Sequence, residues 1–306
     1  MKYWIAFLLG INFCFAQTDS LNINAPWYRT NLQFQQNPAF TGDNGKFVVS
    51  NSTKFNLYET NFNDALSTNT SSFQTCFKNY GIGINYAYSN YSGVLSNQTL
   101  GLNQSYKIHI KKGHFLLFGF SVSINMAQLD FSKLTFFDQF VSSQGKIYQT
   151  QEPNPNPTVY YCNFKAGGIY KNQFGFISLN IQNLFEPIVA FYDQVGINKS
   201  SSLIRNYELL AGLKLYKIND VQFYANLKAD INNISPYEFI GVQASYKSKF
   251  IGGIHYTSNN GLNMMLSYYH PKFRVFASYT KEYIFKNTEL SNEGILSVGL
   301  TYQIKK

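Results

Sequence analysis

Charged side chains are scarce in this sequence. Asp, Glu, Lys and Arg make up 13% of the 306 residues, against about 25% in an average soluble domain. Cysteine is nearly absent too, with three residues, which excludes a disulfide-stapled scaffold. After the first 16 residues no apolar run approaches the ~20 residues that a membrane-spanning helix needs. The longest is "FLLFGF" at 115–120, so a helical membrane protein is excluded. Catalytic signatures are missing as well. His109, His114, His255 and His270 form no H-E-x-x-H and no spaced metal cluster, and no G-x-S-x-G elbow occurs. The glycines of "GIG" at 81–83 open a strand and lack the rest of a dinucleotide fingerprint. The reading is therefore of a protein that is not an enzyme and has no cofactor or metal. The formal charge is +9, but the only basic pairs are Lys111-Lys112 and Lys305-Lys306. Without a basic cluster, nucleic acid is not an expected partner.

What is present begins with "MKYWIAFLLGINFCFAQ". Lys2 is a positive n-region, 3–15 an apolar h-region, and Ala16 a small residue before Gln17. This is the pattern of a signal peptide cleaved near Ala16/Gln17. The bulky Phe13 before Cys14 argues against lipidation of that cysteine, which leaves with the signal. Removing 1–16 leaves 290 residues with two cysteines, Cys76 and Cys162. An exported chain allows them to oxidise, and their pairing is left open.

The remainder alternates. In 221–231, Val221, Phe223, Ala225, Leu227, Ala229 and Ile231 fall on one face. Gln222, Asn226, Lys228 and Asp230 fall on the other, joined by Tyr224. The stretches 100–110, 120–126 and 296–304 repeat the pattern. A period of two over such lengths marks strands with one apolar and one polar face. Short polar turns, each carrying Lys and flanked by aromatic or aliphatic residues, recur at 77–81, 110–115, 170–174, 216–223, 246–250 and 269–273. Longer connections alternate with them at 56–65, 90–93, 130–158, 184–203, 232–236, 258–261 and 282–293. Short turns at one end and longer loops at the other, with aromatics beside the turns, is the layout of an outer-membrane β-barrel. It also accommodates an aromatic content of 18% beside so few charges. The expected fold is all-β: a transmembrane antiparallel barrel of about 14 strands, with short periplasmic turns and longer extracellular loops. The expected strands are 46–55, 66–77, 80–89, 94–110, 114–129, 158–170, 173–183, 204–216, 221–231, 237–247, 249–257, 262–270, 272–281 and 294–304. Lipid requires such closure, because every backbone amide then has a partner. The loop at 130–158 carries "QTQEPNPNPTV", whose prolines forbid ladder pairing, and its length suggests a lid or a contact surface.

A charge facing lipid costs ~2–4 kcal/mol at the midplane. Lys107, Lys165, Glu208, Lys214, Lys228, Asp230 and Arg274 fall on strands, and are expected to face the lumen and pair there. Before the first strand comes the cluster "NPAFTG" at 37–42. Pro38 fixes its own φ and holds Asn37 extended, Gly42 permits a positive φ, and Phe40 is an apolar anchor. The segment either enters the first strand as an ordinary turn or sits in the periplasmic mouth. The expected organisation is signal peptide 1–16, pre-barrel segment 17–44 and barrel 45–306.

Asn37, Pro38, Ala39, Phe40 and Gly42, placed soon after a signal and before this strand pattern, resemble the N-P-A-aromatic-x-G motif of the PorP/SprF family. "RNYELLAG" at 205–212 is similar to the family's R-H-Y-x-x-x-x-G segment through Arg205, Tyr207 and Gly212, with Asn206 in place of the usual His. Two departures stand beside these. "STKFNLYETNF" replaces a Trp-containing segment after the first strand, and Ser291, Asn292 and Glu293 only echo a C-terminal Ser-His-Glu. The resemblance implies an outer-membrane component of the Bacteroidota type IX secretion and gliding machinery, embedded in outer-membrane lipid. It implies contacts with other type IX components and a secreted adhesin client. Two alternatives remain: a fatty-acid-channel type of transporter with an N-terminal plug, and a soluble secreted β-sandwich.

Overall fold

The computed structural model describes residues 37–43, 47–57, 66–91, 93–134, 157–191, 202–231, 237–257, 261–286 and 289–304. Fourteen antiparallel strands close into one barrel. They are β1 Phe47–Leu57, β2 Leu66–Phe77, β3 Tyr80–Tyr91, β4 Leu95–Lys111, β5 His114–Leu129, β6 Thr158–Lys171, β7 Gly175–Gln182, β8 Asn206–Ile218, β9 Val221–Ile231, β10 Tyr237–Tyr246, β11 Phe250–Thr257, β12 Gly261–Tyr269, β13 Phe273–Lys286 and β14 Glu289–Ile304. Each strand pairs with its sequence neighbours, and β1 closes on β14 from Phe47↔Ile304 to Leu57↔Gly294. No helix among the described residues is long and apolar enough to cross a membrane.

The wall has the two faces that the alternation requires. On β5, Phe115, Leu117, Ser121, Ser123, Asn125 and Ala127 are buried, whereas Phe118, Phe120 and Ile124 are exposed. The inward set is mostly small and polar, including Ser50, Ser52, Ser72, Asn103, Asn180, Asn226, Gln243, Ser267 and Thr301. The outward set is Ile, Leu, Val, Phe and Tyr. A polar interior behind an apolar outer band is how a barrel satisfies lipid and its own polar groups together. The soluble-sandwich alternative is thereby set aside.

Four of the six short turns use left-handed residues, as many tight β-connections do: Lys78 (φ 55°), Gly113 (φ 80°), Asn219 (φ 49°) and Lys247 (φ 49°). Both chain ends of the barrel, Phe47 and Ile304, lie on that side. At the opposite end Asp130 caps a 3-10 turn, Phe131–Lys133, accepting from Ser132 N at 3.1 Å and Ser132 Oγ at 2.6 Å. The Ser132 hydroxyl hydrogen bond holds the Asp130 carboxyl below its ordinary range.

One expected connection is corrected. Residues 282–286 and 289–293 extend β13 and β14 as paired strands, from Glu282↔Glu293 out to Lys286↔Glu289. The charges there read as loop chemistry. The cost of a strand charge falls to ~0–1 kcal/mol near the interface, so a strand tolerates charge once it has risen past the apolar band. Cys76 and Cys162 are free. They sit on β2 and β6, which are not neighbours, and their parities send one side chain inward and the other outward. The signal peptide with Cys14, and the proline-rich part of the 130–158 loop, lie outside the described residues.

Candidate functional site

The most elaborately built place in the molecule is the short-turn mouth. There residues 37–43 lie inside the barrel. Pro38–Phe40 forms one turn of 3-10 helix, and Asn37 caps it by accepting from Ala39 N at 2.9 Å. Pro38 occupies the first helical position, where its missing N–H costs nothing. Asn37 through Thr41 are almost wholly buried. This segment is a plug against the wall and does not start the first strand, which begins four residues after Asp43.

Three kinds of contact hold the plug. The first is apolar. Phe40, 5% exposed, meets Phe176 edge to face with centroids 5.6 Å apart. With Ala39 it joins Phe115, Leu117, Ile169, Leu210 and Tyr224 in one cluster. These are bulky inward residues of β5 to β9, in an interior whose other buried residues are mostly polar. Edge-to-face pairs of this kind add ~0.5–1.5 kcal/mol beyond area burial.

The second kind is hydrogen bonding. Asn37 Nδ2 donates to Ser178 Oγ at 2.7 Å and to Leu179 O at 3.0 Å. Gly42 N donates to Gln74 Oε1 at 2.9 Å. Ser105 Oγ donates to Thr41 O at 2.6 Å. The plug thus bonds to β2, β4 and β7, and satisfies backbone groups that would otherwise be buried bare.

The third kind is ionic. Asp43, 6% exposed in its side chain, pairs with Lys171 and with Lys107, the latter at 3.4 Å. Both ammonium groups also lie over the Phe115 ring, at 5.0 Å for Lys107 and 5.7 Å for Lys171. One carboxylate therefore answers two inward lysines from β4 and β6.

The wall is shaped to admit the plug. A side-chain carbon on Gly119 would overlap Ala39 N, one on Gly167 would overlap Asn37 Oδ1, and one on Gly81 would overlap Thr41 O. Three strands carry glycine where the plug touches them, by its backbone at Gly81 and Gly119 and by the Asn37 side chain at Gly167, and such close approach is what glycine permits. Gly42 has φ +66°, and a carbon there would lie 2.5 Å from Thr75 O. It is constrained both by conformation and by space.

The other charged strand residues divide. Lys228 Nζ bridges Glu208 at 3.1 Å and Asp230 at 2.9 Å, a compact group in the lumen, with Lys165 inward on β6. Arg274 is buried and donates through Nε to Ser267 Oγ at 3.3 Å. Lys214 differs. It shares the face of buried Tyr224 through the pair Lys214↔Tyr224, yet it is exposed at the short-turn mouth, beside a register shift to Lys217. The expectation that it pairs inside the lumen is therefore corrected. Between these groups runs a neutral network. His255 Nδ1 donates to Asn263 Oδ1 at 3.2 Å, while its Nε2 accepts from Gln243 at 3.0 Å and Asn226 at 3.2 Å. Two amide donors at Nε2 fix that tautomer.

In the segment at 205–212, Arg205 is on the rim, 3.8 Å from Glu186 with both side chains substantially exposed. Asn206 begins β8, Tyr207 faces outward, and Gly212 is buried between Phe176 and Asn226 in the register. These residues are not brought together with the plug except through Gly212. Sequence reading passed over Asp43, Lys171, Gly119, Gly167 and Ser178. Lys171 falls in the short-turn stretch "YKNQF". The one signal available for Asp43 is its position directly after "NPAFTG".

Comparison with known proteins gives two results. The sequence model for the family described as "Type IX secretion system membrane protein PorP/SprF" matches residues 27–302. No curated protein matches in sequence. Among solved structures, the CymD monoaromatic hydrocarbon channel aligns over 91% of this chain and 94% of its own, with a TM-score of 0.55 and 12% identity. The Pseudomonas putida toluene transporter TodX aligns over 89% and 93%, with a TM-score of 0.53 and 8% identity. At such identities the likeness establishes the outer-membrane barrel fold and nothing finer.

Proposed function

This chain belongs to the PorP/SprF family of type IX secretion system membrane proteins, and from that premise we propose that it is a non-enzymatic barrel of the type IX secretion and gliding machinery. It supports the secretion or surface attachment of adhesins through protein contacts. It works in outer-membrane lipid, with other type IX components on the side of the short turns and the adhesin client on the side of the longer loops. The observation that carries this reading is the family match over nearly the whole barrel. The architecture agrees with it: the mouth is occupied by a segment fixed on several strands, and the interior is lined by Ser, Thr, Asn and Gln. A strain lacking the gene is expected to lose surface adhesin, assayed by antibody labelling of intact cells. Unchanged secretion and attachment would sink this role.

The likeness to hydrocarbon channels, together with a plug, favours one second reading: a transporter of small hydrophobic solutes. Such a path needs an apolar route through the lumen, and beyond the plug cluster most buried residues are polar, with Val48, Ala127, Ile251 and Phe276 scattered among them. Purified protein in liposomes is expected not to accelerate toluene uptake. Acceleration would favour the transporter.

A further inference from the structure

β6 is paired with β5 along its whole length, from Thr158↔Gln128 to Lys171↔Phe115. Its other side is paired with β7 only from Ala166↔Ile181 to Lys171↔Phe176. β7 ends at Gln182. Asn183 (φ 54°) and Glu186 (φ 47°) then break the extended run. Among the described residues, 159–163 have no ladder partner on that side.

The direction of the backbone groups follows from two bonds. Pro157 O accepts from Leu129 N on the β5 side, and Phe164 O accepts from Leu184 N on the far side. In an antiparallel ladder a residue's N–H and C=O point to the same neighbour, and the neighbour alternates along the strand. Odd residues therefore face β5. Tyr160 and Cys162 direct their N–H and C=O toward the side that β7 leaves vacant. Both side chains point outward, Tyr160 with 70% exposure. In register, Cys162 is level with Ile124 and Leu100, which are 58% and 54% exposed on the apolar outer band. Bare amides at lipid height cost several kcal/mol each. The group that answers alternating N–H and C=O along an edge is another strand. Phe164 and Phe185, with centroids 5.0 Å apart, give the place an apolar flank.

We infer that the outer half of β6 is a strand-addition site, where an extended segment of a surface-delivered polypeptide pairs along 159–163 and bonds Tyr160 and Cys162. The occupant is a single chain. An added strand needs only ~5 Å beside the edge, whereas a second barrel wall would have to displace Phe185 from Phe164. The inference rests on the type IX reading, since it takes the client as the occupant.

Proline scanning of the full-length protein in its own host tests it. Tyr160→Pro removes an N–H that faces the vacancy and leaves the β5 ladder intact. Tyr161→Pro removes a ladder bond to β5 and serves as the unfolding control. Tyr160→Ala keeps the N–H. The barrel carrying Tyr160→Pro is expected to fold, judged by heat-modifiable gel mobility. The adhesin mislocalised by gene deletion is expected to co-purify up to about tenfold less with it, the effect of one lost backbone hydrogen bond. Tyr160→Ala is expected to retain it. In barrel refolded alone, the Tyr160 and Cys162 amides are expected to exchange faster than the β5-paired amides of Tyr161 and Asn163 beside them. Folded Tyr160→Pro with wild-type co-purification would overturn the inference, as would protected amides in the isolated barrel, which would mean that the chain itself or a second copy fills the edge. If gene deletion leaves the adhesin in place, the type IX reading fails. If deletion removes it and Tyr160→Pro does not, only the strand site fails.

Discussion

Asp43 is the residue whose loss says most about the plug. Replacing it by Asn leaves Lys171, 7% exposed, as a buried cation without its carboxylate. Breaking such a pair costs ~3–5 kcal/mol. Asp43→Asn is therefore expected to release the N-terminal segment, seen as faster cleavage ahead of β1 by a protease supplied on the short-turn side. Adding Lys171→Met removes the stranded charge and is expected to recover part of the loss. If the double variant is no better than the single, the ion pair is not what holds the segment. Phe40→Ala removes the apolar anchor at about 3 kcal/mol, the low end for a buried Phe. The expected readout is a lower thermal midpoint of the segment's protection, and an unchanged midpoint would place Phe40 outside the core. The sequence presented "NPAFTG" as ordered turn chemistry but left two placements open, because its partners lie far away. Ser178 is 141 positions from Asn37, and Lys171 is 128 from Asp43. No local pattern announces contacts at that separation.

At the scale of elements, strands were the most legible feature. A period of two needs only local sequence, and the short turns announced themselves by their aromatic and Lys pattern. The errors fell where physics changes along a strand. β13 and β14 run past the lipid band, so charge no longer marks a loop, and Lys214 emerges at the mouth, where an inward parity no longer implies burial. The seat formed by Gly81, Gly119 and Gly167 was not legible, since isolated glycines in strands have many uses. It makes a clean prediction. Gly119→Val on β5 is expected to leave the barrel folded, because the strand gains a better β-former, while expelling the plug and exposing it to protease. A folded variant with the plug still protected would show that the wall adapts. β2 and β6 also make a covalent prediction. Denatured without reductant, the mature protein is expected to take up two maleimides, at Cys76 and Cys162. Uptake of none would mean a disulfide and a different arrangement of these strands.

For the whole molecule, closure, strand number and polarity of the interior agree with an outer-membrane barrel. The family relation places that barrel with type IX secretion. Likeness to solved barrels at 8–12% identity adds the fold and no role. The arrangement of this chain argues for a scaffold. Its mouth holds a plug fixed by an aromatic pair, four hydrogen bonds to the wall and two ion pairs, and its lumen wall carries the His255 network along β9 to β12 and the Lys228 group on β8 and β9. Electrical conductance of the purified full-length protein in a planar bilayer tests this most directly. The account predicts no stable open steps from the wild-type protein. A steady open channel in the unmodified protein would contradict it.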